Sequence, residues 1–90
     1  MKSLLVLTSV TAAKRVERMG MEHGIRCVTV HTPKPLTQYG CSHSVKVSSD
    51  YLKEIYLIAR NMGLKIYGIY NEKVVGGKLV YEKVGGYDIS

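Results

Sequence analysis

The sequence predicts an α+β fold in which two helices cover one face of a four-stranded antiparallel sheet. Short apolar segments typical of strands alternate with two amphipathic segments typical of helices. A glycine follows each helical segment, at Gly24 and Gly63, as it does at the end of many helices. The 90 residues suffice for one domain with a modest core.

The first third of the chain predicts a strand, a helix and a second strand. Residues 3–8 are apolar and are bounded by hydroxyl residues, as in a buried strand. Ser9 or Thr11 can cap the helix predicted at residues 12–22, because either hydroxyl can accept a backbone N–H bond. Within residues 25–31, Val28 and Val30 alternate with Cys27, Thr29 and His31, which predicts a half-buried strand.

A proline-containing loop separates this unit from the next three elements. Prolines do not continue a strand ladder, so residues 32–42 are predicted to form a loop. A short strand at residues 44–47, a helix at 51–62 and a strand at 64–70 follow. The order βαββαβ is the ferredoxin-like arrangement.

The last twenty residues follow a different pattern. Residues 74–79 predict a tight β-hairpin, because Gly76 and Gly77 accept the positive φ values of such turns. An isolated hairpin is marginally stable in water, so we expect this one to extend the sheet edge or to contact a second subunit. The sequence is therefore divided into a domain at residues 1–70 and an extension at residues 71–90.

Composition narrows the function classes. The net charge is +6, from 13 Lys and Arg against 7 Asp and Glu, but no block of five or six like charges occurs. We therefore do not expect nucleic-acid binding. No apolar stretch has the length of a membrane span, and two cysteines without a secretion signal predict reduced thiols in the cytoplasm.

Cys41 is the strongest candidate for a functional residue. It follows Gly40 in the polar loop and has no apolar neighbours in the sequence. Gly40 leaves room beside the thiol for a partner. Lys34 and His43 can favour the thiolate, the reactive form of cysteine, although Lys34 is also an ordinary solvated loop lysine.

Topology predicts further support for this thiol. In the predicted fold the third strand pairs beside the first, so the loop lies near the start of the first helix. Ser9 and Thr11 stand at that helix end, which carries partial positive charge and free N–H groups. We expect this helix end to favour an anionic sulfur at Cys41.

The second cysteine and the histidines raise two alternatives. Cys27 alternates with Val28 and Val30, which places it on the open side of the sheet as a structural thiol, and a disulfide with Cys41 stays open. Cys27, His31, Cys41 and His43 form a legitimate zinc ligand set, but Cys27 and His31 would lie roughly 13 Å apart along a strand. We therefore predict no metal.

Four segments of the sequence together resemble one bacterial family. They are Thr32-Pro33-Lys34 before the loop, Cys41 at its end, then Val45-Lys46-Val47 and Gly68-Ile69-Tyr70. Residues 3–70 resemble the family of selenium/sulfur (Se/S) carrier protein-like domains. The chain departs from the family pattern at Lys34, where an arginine is expected, and at Ser42, where a glycine is expected.

The resemblance implies a sulfur or selenium carrier that holds a persulfide or selenosulfide on Cys41. Its partners would be donor and acceptor proteins, with no cofactor, and it would act as an accessory protein rather than a stand-alone enzyme. The alternative is a non-catalytic ferredoxin-like binding or regulatory module, since fold does not fix function. Exposed strand edges also favour a homodimer.

Overall fold

The computed structural model describes residues 1–36 and 43–88. Within these ranges two α-helices form, α1 at Val10–Glu22 and α2 at Leu52–Asn61. The strands of the same ranges are β1 (Lys2–Leu7), β2 (Cys27–His31), β3 (His43–Ser48), β4 (Gly68–Val75) and β5 (Lys78–Lys83). Among the described residues, no helix is both long enough and apolar enough to cross a membrane.

All five of these strands form one antiparallel sheet, in the order β2-β3-β1-β4-β5. The predicted order of elements, βαββαβ, is confirmed for the first six, and β3 pairs beside β1 as expected. The sheet has five strands rather than the predicted four, because β5 pairs along β4 at the edge. This pairing agrees with the expectation that the hairpin extends the sheet edge.

The hydrophobic core lies between the two helices and one face of the sheet. Leu5 and Leu7 of the central strand β1 are fully buried in it. Both helices contribute to the same cluster, through Ala13 and Val16 of α1 and through Leu52, Ile55 and Ala59 of α2. The domain therefore has two layers, with both helices on one side of the sheet.

The side of strand β2 that we predicted to be open faces the core instead. Cys27 is buried in the core cluster, whereas Val28 is 50% exposed. The Cys27 thiol donates a hydrogen bond to the Glu17 carbonyl of α1 at 3.6 Å, so α1 covers this side. Alternation in a sequence separates the two sides of a strand but does not tell which one a helix will cover.

The C-terminal hairpin is continuous with the main sheet. Gly76 and Gly77 have φ values of +58° and +78°, and Val75 pairs with Lys78, as in a two-residue type I′ turn. The predicted turn is therefore correct. However, the first strand of the hairpin is the second half of β4, whose earlier residues pair with β1.

Strand β4 begins later than the sequence predicts. The predicted strand covered residues 64–70, but β4 starts at Gly68. Ile66 is fully buried, and the Tyr67 N–H donates to the Val6 carbonyl at 2.9 Å. The apolar residues before Gly68 therefore serve packing rather than continuous strand pairing.

After β5, residues 84–88 cross from the sheet edge to helix α2. Val84 and Tyr87 pack against the core, and the rings of Tyr56 and Tyr87 meet edge to face with centroids 4.8 Å apart. The Tyr56 hydroxyl donates to the Asp88 carbonyl at 3.0 Å and accepts from its N–H at 3.1 Å. These contacts fix the end of the described chain to α2.

Candidate functional site

The predicted site is centred on two residues, Gly40 and Cys41, that lie outside the described residues. The last described residue before them is Leu36 and the first after them is His43. The surroundings of the site are therefore defined by the end of β2, the start of β3 and the elements beside them.

His43 stands at the first position of β3, between two strand ends. It pairs with Leu7, the last residue of β1, and with His31, the last residue of β2. The His31 and His43 rings are 4.6 Å apart between centroids and are inclined by 41°. The His43 Nδ1 is buried and accepts or donates no hydrogen bond within the described residues.

His31 was not among the predicted site residues and was considered only as a member of a zinc ligand set. The register of β2 against β3 places it opposite His43, on the same face of the sheet. No local pattern in the sequence indicates this register.

The start of α1 follows β1 directly, as the predicted topology requires. The Ser9 hydroxyl accepts the Ala12 N–H at 3.1 Å, so Ser9, not Thr11, caps the helix. Both residues are exposed, and the first turn of α1 contains no acidic residue. Because Leu7 pairs with His43, the start of β3 and the start of α1 lie at the same end of the sheet.

The surface beyond this helix start is basic. A shallow open groove on α1 is lined by Val10, Thr11, Lys14, Arg15 and Arg18. The side chains of Lys14, Arg15 and Arg18 are positively charged, as is the N-terminal end of the helix dipole. An anion at this end of the domain therefore experiences a favourable field.

Lys34 lies in a 3-10 turn, Lys34–Leu36, that is closed by a bond from the Leu36 N–H to the Pro33 carbonyl at 2.9 Å. Its side chain is exposed. In the described part of the chain, no hydrogen bond or ion pair joins Lys34 to Ser9, Thr11 or His43. His43 thus lies at the end of the sheet where α1 starts, whereas no described contact links Lys34 to His43, Ser9 or Thr11.

A buried pair of hydroxyls, which the sequence analysis missed, anchors the beginning of the loop. Thr32 and Ser44 are both buried, and their hydroxyl oxygens are 2.7 Å apart. Thr32 follows β2 and Ser44 is the second residue of β3. This bond ties the first residue after β2 to β3 through side chains, beyond the last paired residue His31.

Cys27 is a free thiol with the properties of a structural residue. It is only 8% exposed, and burial raises the pKa of its thiol, an effect to which the nearby Glu17 carboxylate adds. Both causes disfavour the thiolate. Within residues 1–36 and 43–88, no group of three or more His, Cys, Asp or Glu side chains could hold a metal ion.

Comparison with known proteins identifies one family. The family model described as "Putative Se/S carrier protein-like" matches residues 2–71. No match to the chain was found among curated proteins or among solved structures. The matched region includes α1, β3, α2 and the segment that contains Cys41. The chain therefore belongs to the Putative Se/S carrier protein-like family.

Proposed function

We propose that this protein carries sulfur or selenium as a persulfide or selenosulfide on Cys41. The observation that carries the proposal is the burial of the second cysteine. Cys27 lies under α1 with a raised pKa, so it suits packing and not nucleophilic attack. In a family named for sulfur and selenium carriers, this leaves Cys41 as the candidate carrier thiol.

The described surroundings support an anion at this position. Cys41 precedes His43 by two residues in the sequence. His43 pairs with Leu7, two residues before the helix cap Ser9. We assign support of the anionic sulfur to Lys34, His43, Ser9 and Thr11, and access for the partner to Gly40.

The transfer step conserves electrons and needs no cofactor. The Cys41 thiolate attacks the outer sulfur of a donor persulfide, forming a new S–S bond while the donor S–S bond breaks. The donor leaves as a thiolate, and the proton of its terminal sulfur travels with that sulfur. An acceptor thiolate then repeats the same exchange on Cys41.

The partners of this reaction are a donor protein and an acceptor protein, and we place the reaction in the cytoplasm. The family match ends at residue 71, so we further propose residues 1–70 as the carrier unit and residues 71–90 as an extension to it. The carrier acts as an accessory protein whose chemistry is completed by its partners.

Intact mass measurement after incubation with glutathione persulfide tests the proposal. We expect the mass of one sulfur atom to be added to the wild type and to the Cys27→Ala variant, and expect no addition to Cys41→Ser. Reduction with dithiothreitol should remove the added sulfur. Cys27→Ala is the matched control, because it removes the other thiol without placing a polar group in the core.

Two results would contradict the carrier function. Sulfur addition that persists in Cys41→Ser would move the chemistry to another residue. A wild-type protein that acquires no sulfur would favour the binding or regulatory module instead.

A further inference from the structure

The two edges of the sheet differ in whether their outward backbone N–H groups have hydrogen-bond partners. At the β2 edge, the Thr29 N–H donates to the Glu17 Oε1 of α1 at 2.6 Å. The Ser49 N–H donates to the Met1 carbonyl at 2.9 Å, and hydrogen-bonded pairs alternate, so Val45 bonds to Leu5 of β1. The Thr29 N–H, opposite Val45, therefore points away from β3. A side chain of the domain therefore already occupies the middle of the β2 edge.

The β5 edge carries no such cover in the described chain. The Val84 N–H bonds to the Ile69 carbonyl at 2.9 Å, and hydrogen-bonded pairs alternate in an antiparallel ladder. Val80 and Glu82 therefore bond inward to β4, whereas the N–H groups of Leu79, Tyr81 and Lys83 point outward. Within residues 1–36 and 43–88, none of these three outward N–H groups has a hydrogen-bond partner.

The described residues after β5 also leave this edge open. Residues 84–88 turn back over the domain to α2, where Asp88 bonds to Tyr56. They therefore do not pass along the outer side of β5.

Exposed apolar side chains accompany the open edge. Val74, Val75, Leu79 and Val80 are between 43% and 71% exposed. They lie on the half of the hairpin beyond Glu72, the last residue of β4 that pairs with β1. A free β-edge next to exposed apolar side chains is a typical site for pairing with another strand.

The sequence of β5 complements itself in one register. The backbone N–H and C=O groups that point away from β4 belong to the odd-numbered residues 79, 81 and 83. In a dimer through this edge, these residues must oppose one another in hydrogen-bonded pairs. With Val80 opposite Val80 of a second copy, Leu79 opposes Tyr81, and Lys78 opposes Glu82, each pair occurring twice. Glu82 also lies 3.0 Å from Lys73 of its own chain, so in the dimer its carboxylate would lie between two ammonium groups. A shift by two residues in either direction removes both Lys–Glu pairs.

We propose that two copies of this chain pair through β5, antiparallel and about a two-fold axis at Val80, to form a continuous ten-stranded sheet. Directly opposed residues share a face, so Lys78 and Glu82 meet on the helix side, and Leu79 meets Tyr81 on the open side. The pairing satisfies the outward backbone groups and covers the apolar residues of β5. It is independent of the sulfur-carrier function.

Sedimentation equilibrium over a range of protein concentrations tests the dimer. The wild type should sediment with twice the mass of the chain. Val80→Asp should raise the dimer Kd about ten-fold or more, because two carboxylates would meet at the two-fold axis. The monomer should keep its fold, because Asp at position 80 would lie opposite Lys73.

Val28→Asp is the matched control on the other edge. Val28 is 50% exposed and lies opposite Lys46, so the change has the same character as Val80→Asp. We expect its dimer Kd to equal that of the wild type.

Charge reversal tests the register with exposed side chains alone. Lys78→Glu and Glu82→Lys should each weaken the dimer about ten-fold, and the double variant should restore the Kd to within about three-fold of wild type. Circular dichroism confirms that each variant is folded. A wild type that stays monomeric, dissociation by Val28→Asp, or failure of the double variant to restore the dimer would each overturn the proposal.

Discussion

The Glu17 carboxylate connects helix α1 to the outer side of strand β2. It accepts the Thr29 N–H at 2.6 Å, and Lys14 lies 3.8 Å away on the same helix. Hydrogen bonding by Thr29 lowers the pKa of Glu17 most strongly, and Lys14 lowers it further, whereas partial burial opposes them. The folded protein therefore favours the ionised form of this carboxyl group.

We predict that Glu17→Gln lowers the free energy of unfolding by about 1 kcal/mol at pH 7, because a neutral amide accepts the Thr29 N–H less strongly. The folded pKa lies below the unfolded value, so the carboxylate stabilises the protein above about pH 5. Its contribution is lost as the pH falls through the folded pKa. Urea denaturation at several pH values measures both effects.

The control for this prediction is Glu22→Gln, which changes an exposed carboxylate on the same helix. Its stability difference from wild type should be small. A Glu17→Gln difference that stays constant between pH 7 and pH 3 would show that the charge of Glu17 has no part in it.

Gly20 shows why α1 can approach β2 closely. A Cβ atom at this position would lie 2.8 Å from the Cys27 Sγ and 2.9 Å from the Ile55 Cδ1. A larger residue would force the Cys27 or Ile55 side chain to shift, although glycine weakens a helix interior by about 1 kcal/mol relative to alanine. The close approach of α1 to β2 that this glycine allows buries the Cys27 thiol.

Helix α1 depends on the residue that caps it. Ser9 precedes the helix in an extended conformation and its hydroxyl accepts the Ala12 N–H. Thr11, the other residue that the sequence offered as a cap, is inside the first turn and is exposed. Capping satisfies one of the free N–H groups at the helix start.

We predict that Ser9→Ala lowers the free energy of unfolding by about 1 kcal/mol, whereas Thr11→Ala changes it by less than about 0.5 kcal/mol. Chemical denaturation followed by circular dichroism at 222 nm measures both. Equal losses in the two variants would argue against capping by Ser9.

Most elements follow from local patterns in the sequence, but the orientation of some does not. The apolar stripe of α2 and the Gly76-Gly77 turn could be predicted because each depends on neighbours along the chain. The side of β2 that faces the core could not, since it depends on where α1 docks. The tilted contact between the His31 and His43 rings likewise depends on the register between two strands.

In the candidate site, too, some features could be predicted from local sequence and others depend on tertiary packing. Cys41 could be selected from sequence because it is a cysteine in a polar loop, and that selection stays a prediction. The pairing of β3 beside β1 follows from the predicted topology and is confirmed, and it places His43 opposite Leu7. The Thr32–Ser44 bond could not be predicted, because neither residue has a local pattern that indicates burial.

At the scale of the whole molecule, the helix layer and the sheet enclose one core that extends from β2 to residues 84–88. Cys27 lies at one side of this core and Tyr87 packs against it from another. The C-terminal segment is thus joined to the same packing as the first helix. We expect such a core to open as one unit.

The Cys27 thiol can report this opening in the Cys41→Ser variant, where it is the only thiol in the chain. Cys27 is covered by α1, so a thiol reagent reaches it only when α1 separates from β2. We predict that labelling with dithionitrobenzoate in native buffer is slower than in the urea-unfolded chain by a factor on the order of 10² or more. The rate should rise with urea in parallel with unfolding followed by circular dichroism. Fast labelling without urea would mean that α1 opens locally, independently of the rest of the core.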